Sequence, residues 1–78
     1  MIIENDNDRL ILLAAFRYAL GLKTYTPRVV VNEIKRQWIN LSDDDRHMIH
    51  MEIQDAIDRG CAGMDMDVSA WKEILYLC

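Results

Sequence analysis

The residues best suited to chemistry are His47 and His50, three apart, with Asp43 and Asp44 one turn earlier. Side chains three or four apart on a helix share a face, so two imidazoles at that spacing have a transition-metal geometry. The pair lacks the HExxH arrangement, and any third ligand would have to be one of the aspartates. An ordinary solvated helical face explains the pattern at least as well, so we expect no metal and no cofactor. Nucleophilic catalysis needs a hydroxyl or thiol beside a base in a pocket. Ser42 and Ser69 both stand where helices begin and read as helix-start residues. Cys61 and Cys78 have neither CxxC nor zinc-ligand spacing and read as free thiols. With three glycines and no phosphate-binding loop, nucleotide chemistry has no support. The expectation is a protein that is not an enzyme and works through its surface.

Charge is the second source of function. The net charge is −4, and it is unevenly distributed. Residues 9–36 hold six basic side chains (Arg9, Arg17, Lys23, Arg28, Lys35, Arg36) against Glu33 alone. Residues 42–67 hold eight carboxylates against Arg46 and Arg59. Such polarity bears on partners and steering, not on fold. Asp43, Asp44, Asp45, Asp55, Asp58, Asp65 and Asp67 form the candidate partner-binding set, offering negative charge to lysines or arginines. Met51, Met64 and Met66 add adaptable apolar contact. The competing reading is a DNA-binding second helix, with Thr24, Thr26, Arg28, Lys35 and Arg36 on phosphates as in a helix-turn-helix. The acidic balance of the chain argues against it, because phosphate contacts supply most non-specific affinity. Val29 and Met51 leave a homodimer open.

These side chains must be positioned by helices. Leu10–Thr26 is apolar at nearly every azimuth and then meets Gly21. A helix apolar all round is a buried one, so the first helix, about Asp8–Leu20, is expected to be central. Asp6 or Asn7 would cap it, and Gly21 would close it as a left-handed residue with Leu22 folding back on Phe16. Arg17, inside the stripe of Leu10, Leu13 and Leu20, would then need a buried carboxylate. Thr26-Pro27 opens the second helix, with Tyr25 and Val30 spaced as a hydrophobic staple. Val30, Val31, Ile34, Trp38 and Leu41 keep helical spacing, which outweighs the strand preference of Val29-Val30-Val31. Ser42 caps a third helix whose first turn holds Asp43, Asp44 and Asp45, where they complement the dipole. That helix would bury Ile49, Ile53, Ala56 and Ile57, end at Gly60, and turn His47, His50, Met51, Gln54 and Asp58 outward. Asp67 would cap a fourth, about Val68–Leu77, with Met66 and Trp71 as its staple and Trp71, Ile74, Leu75 and Cys78 inward.

The fold class expected is therefore all-α: one domain over residues 1–78, a compact bundle of about four short helices around a buried first helix. With 51% hydrophobic residues, a core is attainable at this length without metal or disulfide. No signal peptide is visible, and the apolar run Leu10–Phe16 is far too short to span a bilayer. The expected location is the cytoplasm of a bacterial cell, for the following reason. Phe16-Arg17-Tyr18-Ala19-Leu20-Gly21, then Thr24-Tyr25, Glu52-Ile53 and the Asp67…Trp71 ending resemble a group of small bacteriophage and prophage proteins, over roughly residues 10–75. The resemblance implies a phage accessory protein and brings no catalytic residues with it. By analogy, small acidic phage proteins often inhibit host defence, anti-CRISPR proteins among them, by occupying nucleic-acid-binding surfaces. The partner implied is a host protein or nucleoprotein complex with a basic surface, and not a membrane.

Overall fold

A computed structural model describes residues 5–22, 27–59 and 68–77. Within them the chain forms α1 (Asp6–Gly21), α2 (Arg28–Gln37), a 3-10 turn (Trp38–Asn40), α3 (Asp43–Asp58) and α4 (Val68–Leu75). No strand occurs among the described residues. The protein is a small all-α bundle. Tyr25, Thr26, Gly60, Cys61, Met64, Asp65, Met66, Asp67 and Cys78 lie outside the described residues, and so do the caps, staples and thiol assignments expected there.

Local chemistry sets the helix ends. Asn5 Oδ1 accepts from the backbone N–H of Asp8 at 3.0 Å, which makes Asn5 the cap of α1 in place of Asp6 or Asn7. Both of those instead occupy the first turn, where Asp6 and Asp8 face the positive end of the dipole. Gly21 is the last residue of α1, not a left-handed residue beyond it. Leu22 follows with extended backbone at φ −73°, and its N–H reaches Ala19 O. The valine run 29–31 is helical, because the apolar period continues through it to Trp38 and Leu41. Ser42 Oγ caps α3 by accepting from Asp45 N at 3.1 Å, as its position predicts.

The core consists of Leu12, Leu13, Phe16, Ala19, Val31, Ile34, Trp38, Leu41, Ile49, Ile53, Ala70, Trp71 and Ile74. Each α-helix contributes two to four of them at helical spacing. Trp71 is fully buried, and Phe16 meets it edge to face at 5.8 Å between ring centroids, a preferred aromatic geometry. Among the described residues its indole N–H has no hydrogen-bond partner.

The packing order corrects the expectation of a central first helix. The main contacts run α1 on α2, α2 on α4, and α4 on α3, so α2 and α4 each have two principal neighbours and α1 has one. Leu12, Leu13, Phe16 and Ala19 face inward, while Leu10, Ile11 and Tyr18 are 56%, 47% and 74% exposed. Apolarity at every azimuth therefore did not mean burial at every azimuth. Arg17 is likewise exposed. It needs no buried carboxylate, and it makes no ion pair among the described residues. The arginine of α1 that does cross the bundle is Arg9, one azimuth away. Its Nη1 donates to both carboxylate oxygens of Asp45, at 3.0 and 3.2 Å.

Candidate functional site

α3 carries the candidate site. Its inner face is Asp45, Ile49 and Ile53, which leaves Asp44, His47, Met51, Asp55 and Asp58 exposed on the opposite side. At about 100° per residue, Asp44, Met51 and Asp58 lie on one line, seven apart, with His47 and Asp55 flanking it. The result is a row of carboxylates about 21 Å long, by the rise of 1.5 Å per residue, with a methionine at its middle. Beside the row, Met51, Glu52, Asp55 and Arg59 line an open depression of about 450 Å³.

The seven predicted contact residues separate into three groups. Asp43, Asp44, Asp55 and Asp58 are exposed. Asp45 is only 8% exposed, held by Arg9 and by the Ser42 cap, so it belongs to the α1–α3 junction and not to the surface. Asp65 and Asp67 lie outside the described residues.

The physical reasons for the exposed carboxylates differ along the helix. Asp43 and Asp44 sit in the first turn, where a negative charge is favourable for the helix itself. Asp43 also contacts Arg46 at 3.3 Å. Asp55 and Asp58 sit in the last turn, where the helix dipole disfavours them, and no basic residue stands there inside the helix. Arg59, just past the end, compensates Asp55 at 2.8 Å. Asp58 accepts a hydrogen bond from Gln54 at 2.9 Å. Asp44, Asp58 and Glu52 have no ion-pair partner among the described residues. Helix stability accounts for the front of the row and leaves its rear unexplained.

The histidine pair is divided. His47 is exposed, whereas the His50 ring stacks on Trp38 at 5.0 Å and 24° and has its Nε2 3.0 Å from Ile74 O. A ring N–H at Nε2, donating to that carbonyl, fits the contact. His50 is thus not on the outward face where its spacing placed it: it ties α3 to the 3-10 turn and to α4. Among the described residues no three His, Cys, Asp or Glu side chains group as metal ligands.

The cations of α2 are engaged within the molecule. Glu73 of α4 accepts from Lys35 Nζ and from Arg28 Nη1, both at 2.9 Å. The Lys35 bond, then the Arg28 bond, hold the Glu73 carboxyl below the usual range. Arg36 Nη2 lies 2.8 and 2.9 Å from the two oxygens of Glu33. That hydrogen bonding, assisted by Gln37 Nε2 at 3.2 Å, lowers Glu33 to about 2. Sequence reasoning missed the inward Gln37, which is buried and bridges Glu33 and Asn40. It also missed Glu73; its position five residues beyond Val68 carried no signal of a partner on α2.

No family model, curated protein or solved structure matches the chain.

Proposed function

We propose that this protein binds a basic surface of another macromolecule through the outer face of α3, with Asp44, Asp55 and Asp58 meeting lysines or arginines and Met51 entering an apolar notch between them. The observation that carries the reading is the contrast between the two charged helices. The named cations of α2 are closed onto Glu73 and Glu33, while Asp44 and Asp58 face solvent with no cation of this chain against them among the described residues. Asp58 adds weight, because a carboxylate in the last turn works against its own helix.

The partner fitting this face is a protein or nucleoprotein with a cationic groove, and the attraction would raise the association rate at low salt. On the resemblance to small phage-encoded proteins, we take that partner to be a host complex in the bacterial cytoplasm. Its nucleic-acid-binding surface would be occupied and inhibited, as anti-CRISPR proteins do. The protein would act as a stoichiometric inhibitor and not as an enzyme. The DNA-binding alternative would have to break the Arg28, Lys35 and Arg36 pairs before those side chains could reach phosphates.

The test is capture from bacterial lysate, with and without nuclease treatment, by wild type and by the Asp44→Lys, Asp55→Lys, Asp58→Lys triple variant. The expected result is a defined complex held by wild type, weakened by salt, and lost with the variant, whose circular dichroism stays helical. Recovery of nucleic acid alone, removed by nuclease, would overturn the proposal and return attention to α2. Retention of the same complex by the triple variant would overturn it as well.

A further inference from the structure

A second surface, on the far side of α1 from the core, lacks a partner among the described residues. Asp6, Leu10, Ile11, Ala14, Arg17 and Tyr18 are all exposed, and at about 100° per residue they fall within an arc of about 140°. Four apolar side chains, two of them large aliphatics beside a tyrosine, make a stripe down one helix with spacings of three and four. That is the pattern of a helix–helix seam and not of a solvated face.

The charges on the stripe identify its occupant. Asp6 stands at one end and Arg17 eleven residues on, about 16 Å along the axis. Among the described residues Asp6 is held only by a 3.6 Å contact to Arg9, with its side chain 92% exposed. Arg17 makes no ion pair among the described residues. A second copy laid antiparallel, with the two-fold axis near residue 12, brings each Arg17 to the other copy's Asp6 at both ends of the stripe. The same register seats Ala14 of each copy against Leu10 and Ile11 of the other, and the small side chain lets the backbones approach. A parallel pair would instead set Asp6 against Asp6, Arg17 against Arg17, and the two helix dipoles side by side in the same sense.

We propose that this face is a self-complementary interface through which two copies of the chain associate, with α1 antiparallel to α1. A two-fold contact of this kind is closed, so assembly stops at a dimer. One face of a 16-residue helix is smaller than the roughly 800 Å² per partner of a standard stable interface. The dimer is accordingly weak, of micromolar order. The stripe shares no residue with the row on α3.

Sedimentation equilibrium between about 1 μM and 1 mM tests this, on the full chain under reducing conditions. Wild type should pass from monomer to dimer within that range, and its dimerisation should weaken with salt. Arg17→Asp and Ala14→Glu, both at exposed positions, should remain monomeric with unchanged circular dichroism. The double swap Asp6→Arg, Arg17→Asp should recover a dimer, because the pair is restored in reverse. The Asp44→Lys, Asp55→Lys, Asp58→Lys variant should dimerise as wild type does, which separates failure here from failure of the α3 reading. A monomer at every concentration would overturn the proposal. So would a dimer indifferent to Arg17→Asp and Ala14→Glu, which would belong to another face, such as that of Val29 or Met51.

Discussion

At the scale of single residues, three consecutive aspartates, Asp43, Asp44 and Asp45, illustrate how little residue type says about role. All three suit the first turn of α3, yet one turns inward. The side chains of Arg9 and Asp45 are 33% and 12% exposed, so the pair is largely removed from water, and deleting one member leaves the other poorly solvated. Asp45→Ala is expected to cost about 1–3 kcal/mol, whereas Asp44→Ala should stay within about 1 kcal/mol, the size of a dipole contribution. Urea unfolding of both variants measures the difference, and equal losses would contradict the placement of Asp45. Glu33 supplies a pH effect. Its carboxyl is lowered from 4.5 to about 2 by Arg36 and Gln37. The stabilisation from that shift is present above the ordinary carboxylate value and is lost as pH falls from 4.5 toward 2. Glu73, lowered by Lys35 and Arg28, acts with the same sign. Stability should therefore fall across this acid range, and Glu33→Gln should flatten the fall when thermal midpoints are compared.

At the scale of elements, the helices differ in what holds them. α2 is strictly one-sided: Val31, Ile34 and Gln37 face inward, while Val29, Asn32 and Arg36 face out. α1 is the reverse, apolar on both sides with one side covered, and its stability rests on its inner face and its Asn5 cap. Its last residue, Gly21, follows helical Leu20 and has no positive φ and open space where a Cβ would stand. Gly21→Ala should then stabilise by about 0.5 kcal/mol, since alanine loses less backbone entropy on folding. A rise of a few degrees in the thermal midpoint is expected for a domain of this size. A loss of stability would mean that Gly21 serves the connection to α2. The 3-10 turn Trp38–Asn40 matters for a different reason: it aims Trp38 so that the His50 ring can stack on it.

At the scale of the whole molecule, Trp71 joins elements that are far apart in sequence. It is fully buried and meets Phe16 of α1, and its own helix packs on α2 and α3. Trp71→Ala should cost about 3–5 kcal/mol. A domain of this size has few kcal/mol in reserve, so the variant is expected to be largely unfolded by circular dichroism at 37 °C. Survival with a normal cooperative transition would show that the core is carried elsewhere. The charge layout is also a property of the whole molecule. The basic stretch meets the acidic stretch through Arg9–Asp45, whereas Arg28 and Lys35 pair with Glu73, which lies beyond the acidic stretch, and the outer row of α3 takes no part in these pairs. No helix among the described residues is long and apolar enough to cross a membrane.

What the amino-acid sequence determined by itself was local: four helices, the Ser42 cap, the inward stripe Val31–Ile34–Trp38–Leu41, and Trp71 and Ile74 in the last helix. Those features follow from spacing and from hydrogen bonds within a turn, which depend on neighbours in the chain. The sequence also marked α3 as acidic and the second helix as basic. Tertiary structure alone decided which of two apolar faces of α1 would be covered, because the covering helix is chosen by packing order and not by the helix's own composition. It likewise decided that Arg9 and not Arg17 finds a carboxylate, that Asp45 leaves the surface, that His50 turns to Trp38 and Ile74 O, and that Glu73 occupies Arg28 and Lys35. Each of these is a contact between residues more than ten positions apart, whose distance is set by how the helices cross. The candidate surfaces were therefore legible as charge and apolarity, while their true extent depended on which side chains the bundle had already used.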